Sequence, residues 1–138
     1  MNNIFILDAC ALIALLAGET GSEKVKDLVQ QAIDEKIILK MNQINLLEVY
    51  YYICNVYNQD EANKALEKIK KFPIEIKNGL SEEKFKETGR IKSVHKIPLG
   101  DSIAVAECII EKGILLTSDH NDFEKIMDIE NIKINWFR

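Results

Sequence analysis

Four acids in this 138-residue sequence stand in apolar company. Asp8 interrupts the run FILDACALIALLAGE, and Glu48 lies among Leu46, Leu47 and Val49. Asp101 opens the apolar segment DSIAVAECII, and Asp119 follows ILLTS. A carboxylate among hydrophobic residues costs free energy unless hydrogen bonds, counter-charge or a metal offset it. Four of them gathered at one rim would repel and raise one another's pKa values. A divalent cation relieves that repulsion, and hard oxygen donors without companion Cys or His select Mg²⁺ or Mn²⁺ over Zn²⁺. Such an ion lowers the pKa of bound water and stabilises charge on a phosphate, and a second ion roughly 4 Å away could hold the leaving oxygen. Phosphodiester hydrolysis is the chemistry that best uses an all-carboxylate site with no protein nucleophile.

Each acid also has an ordinary reading. Asp8 could cap the segment after it, and Asp101 could be a helix N-cap. Asp119, in SDHND, could be a turn residue, and Glu48 the solvated edge of an amphipathic helix. Other chemistries are poorly represented. LAGETGSEK places Gly18 and Gly21 near a helix start but lacks the GK[ST] ending of a phosphate loop. There is no GxGxxG, HExxH or GxSxG. Ser118 and His120 are neighbours in sequence, which is no evidence for a catalytic triad.

The elements that must position these acids can be read from period and punctuation. Asn3 to Leu7 is short, apolar and β-prone, which suits a strand buried on both faces. A short helical segment to about Ala17 follows. Thr20 and Glu23 stand at capping-box spacing before a helix whose face is Val25, Leu28, Val29, Ala32 and Ile33, to about Lys36. Ile37 to Lys40 is a strand candidate. Asn42 to Tyr57 carries the strand-like VYYYI, yet Leu46, Val49, Tyr50, Ile53 and Tyr57 recur at helical period. Asn58 and Glu61 restart a helix that Pro73 ends, Pro73 to Lys77 alternates like a strand, and Ser81 opens another helix. His95 to Gly100 reads as a loop, Ser102 to Lys112 as a helix stopped by Gly113, and Ile114 to Thr117 as a strand. A short helix over Asp122 to Met127 and a strand over Ile132 to Trp136 close the chain. Strands alternating with helices imply an α/β fold with a central, mostly parallel sheet flanked by helices, expected as a single domain over residues 1–138. Ligand sites in such sheets form at the carboxyl ends of strands, where Asp8 and Asp119 fall.

Composition sets the outer limits. Hydrophobic residues at 47% and charged residues at 29% exclude a disordered chain. A net charge of −4 does not advertise nucleic-acid binding through bulk charge, though acids gathered at a cation site would permit it. Cys10, Cys54 and Cys108 form no CxxC pair and read as free thiols in a reducing compartment. The apolar run after MNN lacks a basic leader and is too short to span a bilayer, so no membrane association and a cytoplasmic location are expected.

The stretches ILDACALIALLAGE, NLLEVYY and LGDSIAVAECIIEKGILLTSDHNDFEKI, with the closing strand, resemble a PIN domain. More narrowly, they resemble the VapC-type toxin ribonucleases of bacterial toxin–antitoxin pairs. The resemblance spans nearly the whole chain and implies a PIN-like three-layer fold. It implies that Asp8, Glu48, Asp101 and Asp119 are the catalytic, metal-binding quartet, with Mg²⁺ as cofactor and Mn²⁺ as the alternative. Asp122 could join them or cap a short helix. It further implies RNA cleavage leaving a 5′-phosphate, a homodimer, and a cognate antitoxin that inserts a peptide near the acids. Tyr50 to Tyr52, Ile53 and Tyr57 could line a groove for either protein partner, or simply pack in the core. Thr117 matches a hydroxyl that the family places beside the site, and Asn45 shares a helical face with Glu48. Both are candidate substrate contacts. Lys84, Lys86, Arg90, Lys92 and Lys96 lead towards Asp101 and could track phosphates, chiefly Lys92 and Lys96; the alternative is a solvated helix face. Two positions depart from the family pattern: Cys10 replaces the usual Ser, Thr or Asn, and Asn45 the usual Ser or Thr. A PIN nuclease of RNA processing without an antitoxin, or a PIN-like binding module without activity, stand as alternatives.

Overall fold

The computed structural model describes residues 3–138. Met1 and Asn2, part of the segment read above as too uncharged for a leader, lie outside the described residues. Five strands form one all-parallel sheet: β1 (Ile4–Leu7), β2 (Ile38–Asn42), β3 (Ile74–Lys77), β4 (Ile114–Thr117) and β5 (Lys133–Trp136). Their spatial order is β3-β2-β1-β4-β5, so the chain builds outwards in one direction from β1, returns, and builds outwards in the other. Seven helices connect and cover them: α1 (Ala9–Ala17), α2 (Ser22–Ile33), α3 (Gln43–Val56), α4 (Gln59–Ile69), α5 (Glu82–His95), α6 (Leu99–Glu111) and α7 (His120–Glu130).

Strand pleating sorts the core into two halves, because successive side chains of a strand point to opposite faces. Phe5 and Leu7 of β1 face a cluster with Leu12 of α1, Val25 and Leu28 of α2, Val49 of α3 and Ile69 of α4. Ile6, between them, faces the other cluster, with Ile91 of α5, Val105 of α6, and Phe123 and Ile126 of α7. Leu116 and Leu115 of β4 divide the same way. This is a three-layer α/β arrangement. No helix among the described residues is long and apolar enough to cross a membrane.

Several boundaries differ from the sequence expectation for local reasons. Thr20 and Glu23 form no capping box: α2 starts behind Gly21, whose φ of 90° lies in the left-handed region, and no side chain caps it. Glycine is required there, because a Cβ would collide with the Phe137 carbonyl oxygen and lie 2.9 Å from its ring. Ile33, at the end of α2, is 56% exposed rather than part of the packed face. The VYYYI segment is helical as its period predicts, with the Asn42 side chain capping α3 through Ile44 N–H at 2.9 Å. Tyr57, expected on the packed face of that helix, lies beyond its end and is exposed. The segment read as a loop to Gly100 already turns into α6 at Leu99, with Pro98 in the cap position. The closing helix is longer than expected, His120–Glu130, because Asp119 caps it two residues earlier.

Candidate metal centre

The site is assembled at the carboxyl ends of β1 and β4, where the sheet order turns back. β1 delivers Asp8, whose backbone N–H donates to Leu116 of β4. Asp8 does cap α1, its Oδ1 accepting from Ala9 N–H at 2.8 Å. Its other oxygen faces β4 and accepts from Thr117 Oγ1 at 3.0 Å and Cys10 Sγ at 3.4 Å. Thr117 in turn accepts from the Asp119 N–H at 3.1 Å, so one hydroxyl holds both acids. Asp119 caps α7 by accepting from Asp122 N–H at 3.2 Å. Capping and site membership are therefore compatible for Asp8 and Asp119. Asp101 is not a cap. It lies in the first turn of α6, behind Pro98, and is only 8% exposed.

Among the described residues, the tightest acidic group is Asp101, Asp119 and Asp122, each offering a carboxylate oxygen within 4.8 Å of the others. Asp122 thus stands where a four-acid reading had left it undecided. The signal was in the sequence: Asp119 and Asp122 are three apart across a helix start, which places them on one side of the first turn. Asp8 and Glu48 flank this group. The charge of Asp8 acts on both Asp101 and Glu48, and that of Asp119 acts on Asp8.

All four predicted acids are held above the ordinary carboxylate range. For Asp8 the cause is burial, opposed by its hydrogen bonds from Ala9, Thr117 and Cys10. Burial also leads for Asp101, followed by its hydrogen bond to Asp122 and the charges of Asp8, Asp122 and Asp119. Burial raises Asp119, with the Asp122 carboxylate adding to it, and burial raises Glu48 against a hydrogen bond from Asn45. Unneutralised like charges close together in a desolvated rim are what a cation relieves. The donors are carboxylate oxygens, the set that suits Mg²⁺ or Mn²⁺, and Asp101, Asp119 and Asp122 would hold it with Asp8 and Glu48 beside them.

The other candidates are distributed differently. Asn45 and Thr117 are completely buried, so their side chains are closed to substrate and act on the acids instead. Asn45 donates to Glu48 Oε1 at 3.1 Å and to the Gly100 carbonyl at 3.0 Å. Of the basic series, Lys84 is drawn inwards to Glu107 (2.7 Å) and Glu111 (3.0 Å). Arg90 pairs with Glu87 and Glu130, Lys86 with Glu82, and Lys92 donates to the Ile97 carbonyl at 2.9 Å. Lys96 is exposed at the left-handed C-cap of α5. Cys10 is half-buried, and burial together with the Asp8 charge pushes its thiol up to about 11, which disfavours a nucleophilic thiolate. Ser118 and His120 form no nucleophile–base pair. Ser118 Oγ accepts from Arg138 at 3.1 Å, while His120 faces Glu124 and the Arg138 carbonyl. His120 also stacks on Trp136 with ring centroids 4.0 Å apart, a clasp that steadies the loop carrying Asp119.

The sequence matches the PIN domain family over residues 5–128. The chain belongs to the PIN domain family, a family of nucleases. Comparison with curated proteins returned no match. Its fold is similar to that of VapBC2 from Rickettsia felis bound to a promoter DNA fragment, with a TM-score of 0.76, 17% identity, and coverage of 96% of this chain and 97% of that one. It is similar also to DNA-bound VapBC from Salmonella typhimurium (TM-score 0.73, 14% identity, 100% of both chains). A third likeness is to VapBC-1 from nontypeable Haemophilus influenzae (TM-score 0.69, 15% identity, 97% of this chain and 98% of that one).

Proposed function

We propose that this chain is a divalent-metal-dependent endoribonuclease, cutting RNA by water attack to leave a 5′-phosphate, and that it is the VapC-like toxin of a toxin–antitoxin pair. The observation that carries the reading is the meeting of Asp101, Asp119 and Asp122 within 4.8 Å, beside Asp8 and Glu48, with no protein nucleophile among them. Mg²⁺, or Mn²⁺, when bound, would supply an acidified water and charge stabilisation on the phosphate. The chain's own part is preorganisation. Thr117 fixes Asp8 and the Asp119 backbone, Asn45 fixes Glu48, and the Asp122 N–H fixes the Asp119 carboxylate. Exposed Lys96, close in sequence to Asp101, is the basic residue of the α5 series assigned here to RNA phosphates.

Partners follow from the surface and from the neighbours in fold. Among the structures it resembles is a toxin–antitoxin complex from Klebsiella pneumoniae, and this chain carries a groove of about 380 Å³ between α1, α3 and α4. Ile13, Leu16, Tyr52, Ile53, Tyr57 and Ala65 line it together with the charged Glu19, Glu61, Lys64 and Lys68, which suits an amphipathic antitoxin peptide. Ile44, Leu47 and Tyr51 leave a second apolar stripe on α3 at helical spacing, which suits a homodimer. The location expected for such a protein is cytoplasmic.

Incubation of the purified chain with structured RNAs, with and without Mg²⁺, tests the activity. Cleavage that persists in Asp8→Asn or Asp101→Asn would sink the metal-carboxylate reading. Growth arrest on expression, relieved by co-expressing the product of a small adjacent gene, tests the toxin assignment. No arrest with intact RNA cleavage would favour a nuclease of RNA processing instead.

A further inference from the structure

Gly100 and Asn45 surround the Glu48 carboxylate from two elements. A Cβ built on Gly100 would collide with Glu48 Oε1 and lie 2.6 Å from its Cδ and 2.7 Å from Oε2. The carboxylate therefore lies flat against the α6 backbone, on the residue just before Asp101. The Asn45 amide closes the arrangement from α3, donating to Glu48 Oε1 and to the Gly100 carbonyl. Its orientation is fixed: a flipped amide would set its oxygen against two acceptors. Asn45 Oδ1 has no hydrogen-bond partner among the described residues, so the amide is held by its donor side alone.

We propose that Gly100 and Asn45 form a seat that locks Glu48 against Asp101, making them positioning residues for the acid that flanks the metal site. Glutamate has three rotatable bonds before its carboxylate, and an unrestrained one on a half-exposed helix face would sample many rotamers. The seat removes that freedom and fixes the distance between acids from α3 and α6. Gly100 adopts ordinary helical dihedrals, so neither turn geometry nor positive φ calls for glycine there. Alanine is the better helix former. The close approach of Glu48 is the reason for glycine at this position. For its consequence, though not for its geometry, this inference rests on the metal-dependent reading above.

Two measurements separate the inferences. In the metal-free protein, the Asn45 side-chain amide signals in an NMR spectrum should move in Gly100→Ala as they do in Glu48→Ala, since both variants take the carboxylate from its donor. Unmoved signals in Gly100→Ala overturn the seat, whatever the metal does. In titrations with Mn²⁺ alone, Gly100→Ala and Asn45→Ala should each bind about tenfold more weakly than the parent, as Glu48→Gln does. Gly100→Ala with Glu48→Gln should be no weaker than Glu48→Gln alone. Losses that multiply, or a Gly100→Ala variant binding within about twofold of the parent, overturn the proposal. Failure of the parent chain to bind Mn²⁺ overturns the functional reading, and the metal-free spectra then decide the seat alone.

Discussion

Thr117, the last residue of β4, donates a 3.0 Å hydrogen bond to Asp8 at the end of β1, 109 residues earlier in the chain. Its hydroxyl also accepts from the Asp119 N–H, so two site acids are referenced to one buried oxygen. Thr117→Val keeps the shape and removes the hydroxyl. Mn²⁺ binding, followed by calorimetry, should weaken about tenfold or more, with urea unfolding at pH 8 showing a loss of about 1–3 kcal/mol. Unchanged Mn²⁺ affinity would show that Asp8 needs no such anchor.

The raised acids make the metal-free protein sensitive to pH. A group whose folded pKa is raised contributes stability that is complete below its unfolded value and is lost as pH rises through the folded value. Asp8, Glu48, Asp101 and Asp119 are all raised, and so is exposed His120, so all five act in one direction. Glu111 and Glu130 are lowered, and their contribution is already complete above the ordinary carboxylate range. Metal-free stability should therefore fall between pH 5 and pH 8. Mg²⁺ should restore it most at the higher pH, where the carboxylates are free of protons. Thermal melts at the two pH values, with and without Mg²⁺, check both parts.

Asp101→Asn removes the acid most crowded by its neighbours. The metal-free variant should be more stable than the parent at pH 8, by at least about 1 kcal/mol, the worth of roughly one pKa unit. It should also lose Mg²⁺-dependent stabilisation. A variant that is destabilised without metal would mean that the Asp101 carboxylate is structurally satisfied rather than held in repulsion.

Lys84 provides the contrasting case. Its ammonium sits 2.7 Å from Glu107, which is 1% exposed and whose other oxygen accepts from Asn42 at 3.0 Å. Replacing Lys84 by Met strands a buried carboxylate, which costs about 3–5 kcal/mol in comparable settings. Urea unfolding should show that loss, while cleavage per folded molecule stays unchanged. Reduced cleavage by fully folded Lys84→Met would return Lys84 to the list of RNA contacts.

Cys10→Ser should keep activity, because a serine hydroxyl can make the same bonds to Asp8 and Thr117. In the parent chain, Cys10 should react with iodoacetamide at pH 8 far more slowly than an unstructured thiol, its thiol being pushed up to about 11. Mass spectrometry of partially alkylated protein reads this directly.

Much of this was legible in the residues themselves. Helical period overrode β-propensity across VYYYI, and alternation of short apolar strands with helices gave the parallel sheet. Asp8 and Asp119 stood out as candidates because each follows an apolar strand, at the carboxyl edge where ligand sites of such sheets form. What stayed hidden depends on tertiary distance. The three-residue spacing sets Asp122 beside Asp119, but nothing local shows that both meet Asp101, which comes from the first turn of another helix. The fate of Lys84 was equally hidden, because its partners, Glu107 and Glu111, lie on another helix. Gly100 was read as the end of a loop, when the side chain it accommodates comes from α3.

The strand order carries a consequence for timing. Because β1 lies between β2 and β4, the site draws Asp8 and Glu48 from the first half of the chain and Asp101, Asp119 and Asp122 from the second. A ribosome reads these halves in sequence. While β4 is still unmade, Asp8 lacks Thr117, and Asp101 lacks Asp119 and Asp122, the two acids that gather around it. A centre encoded this way stays incomplete on the nascent chain until Asp119 and Asp122 have been made.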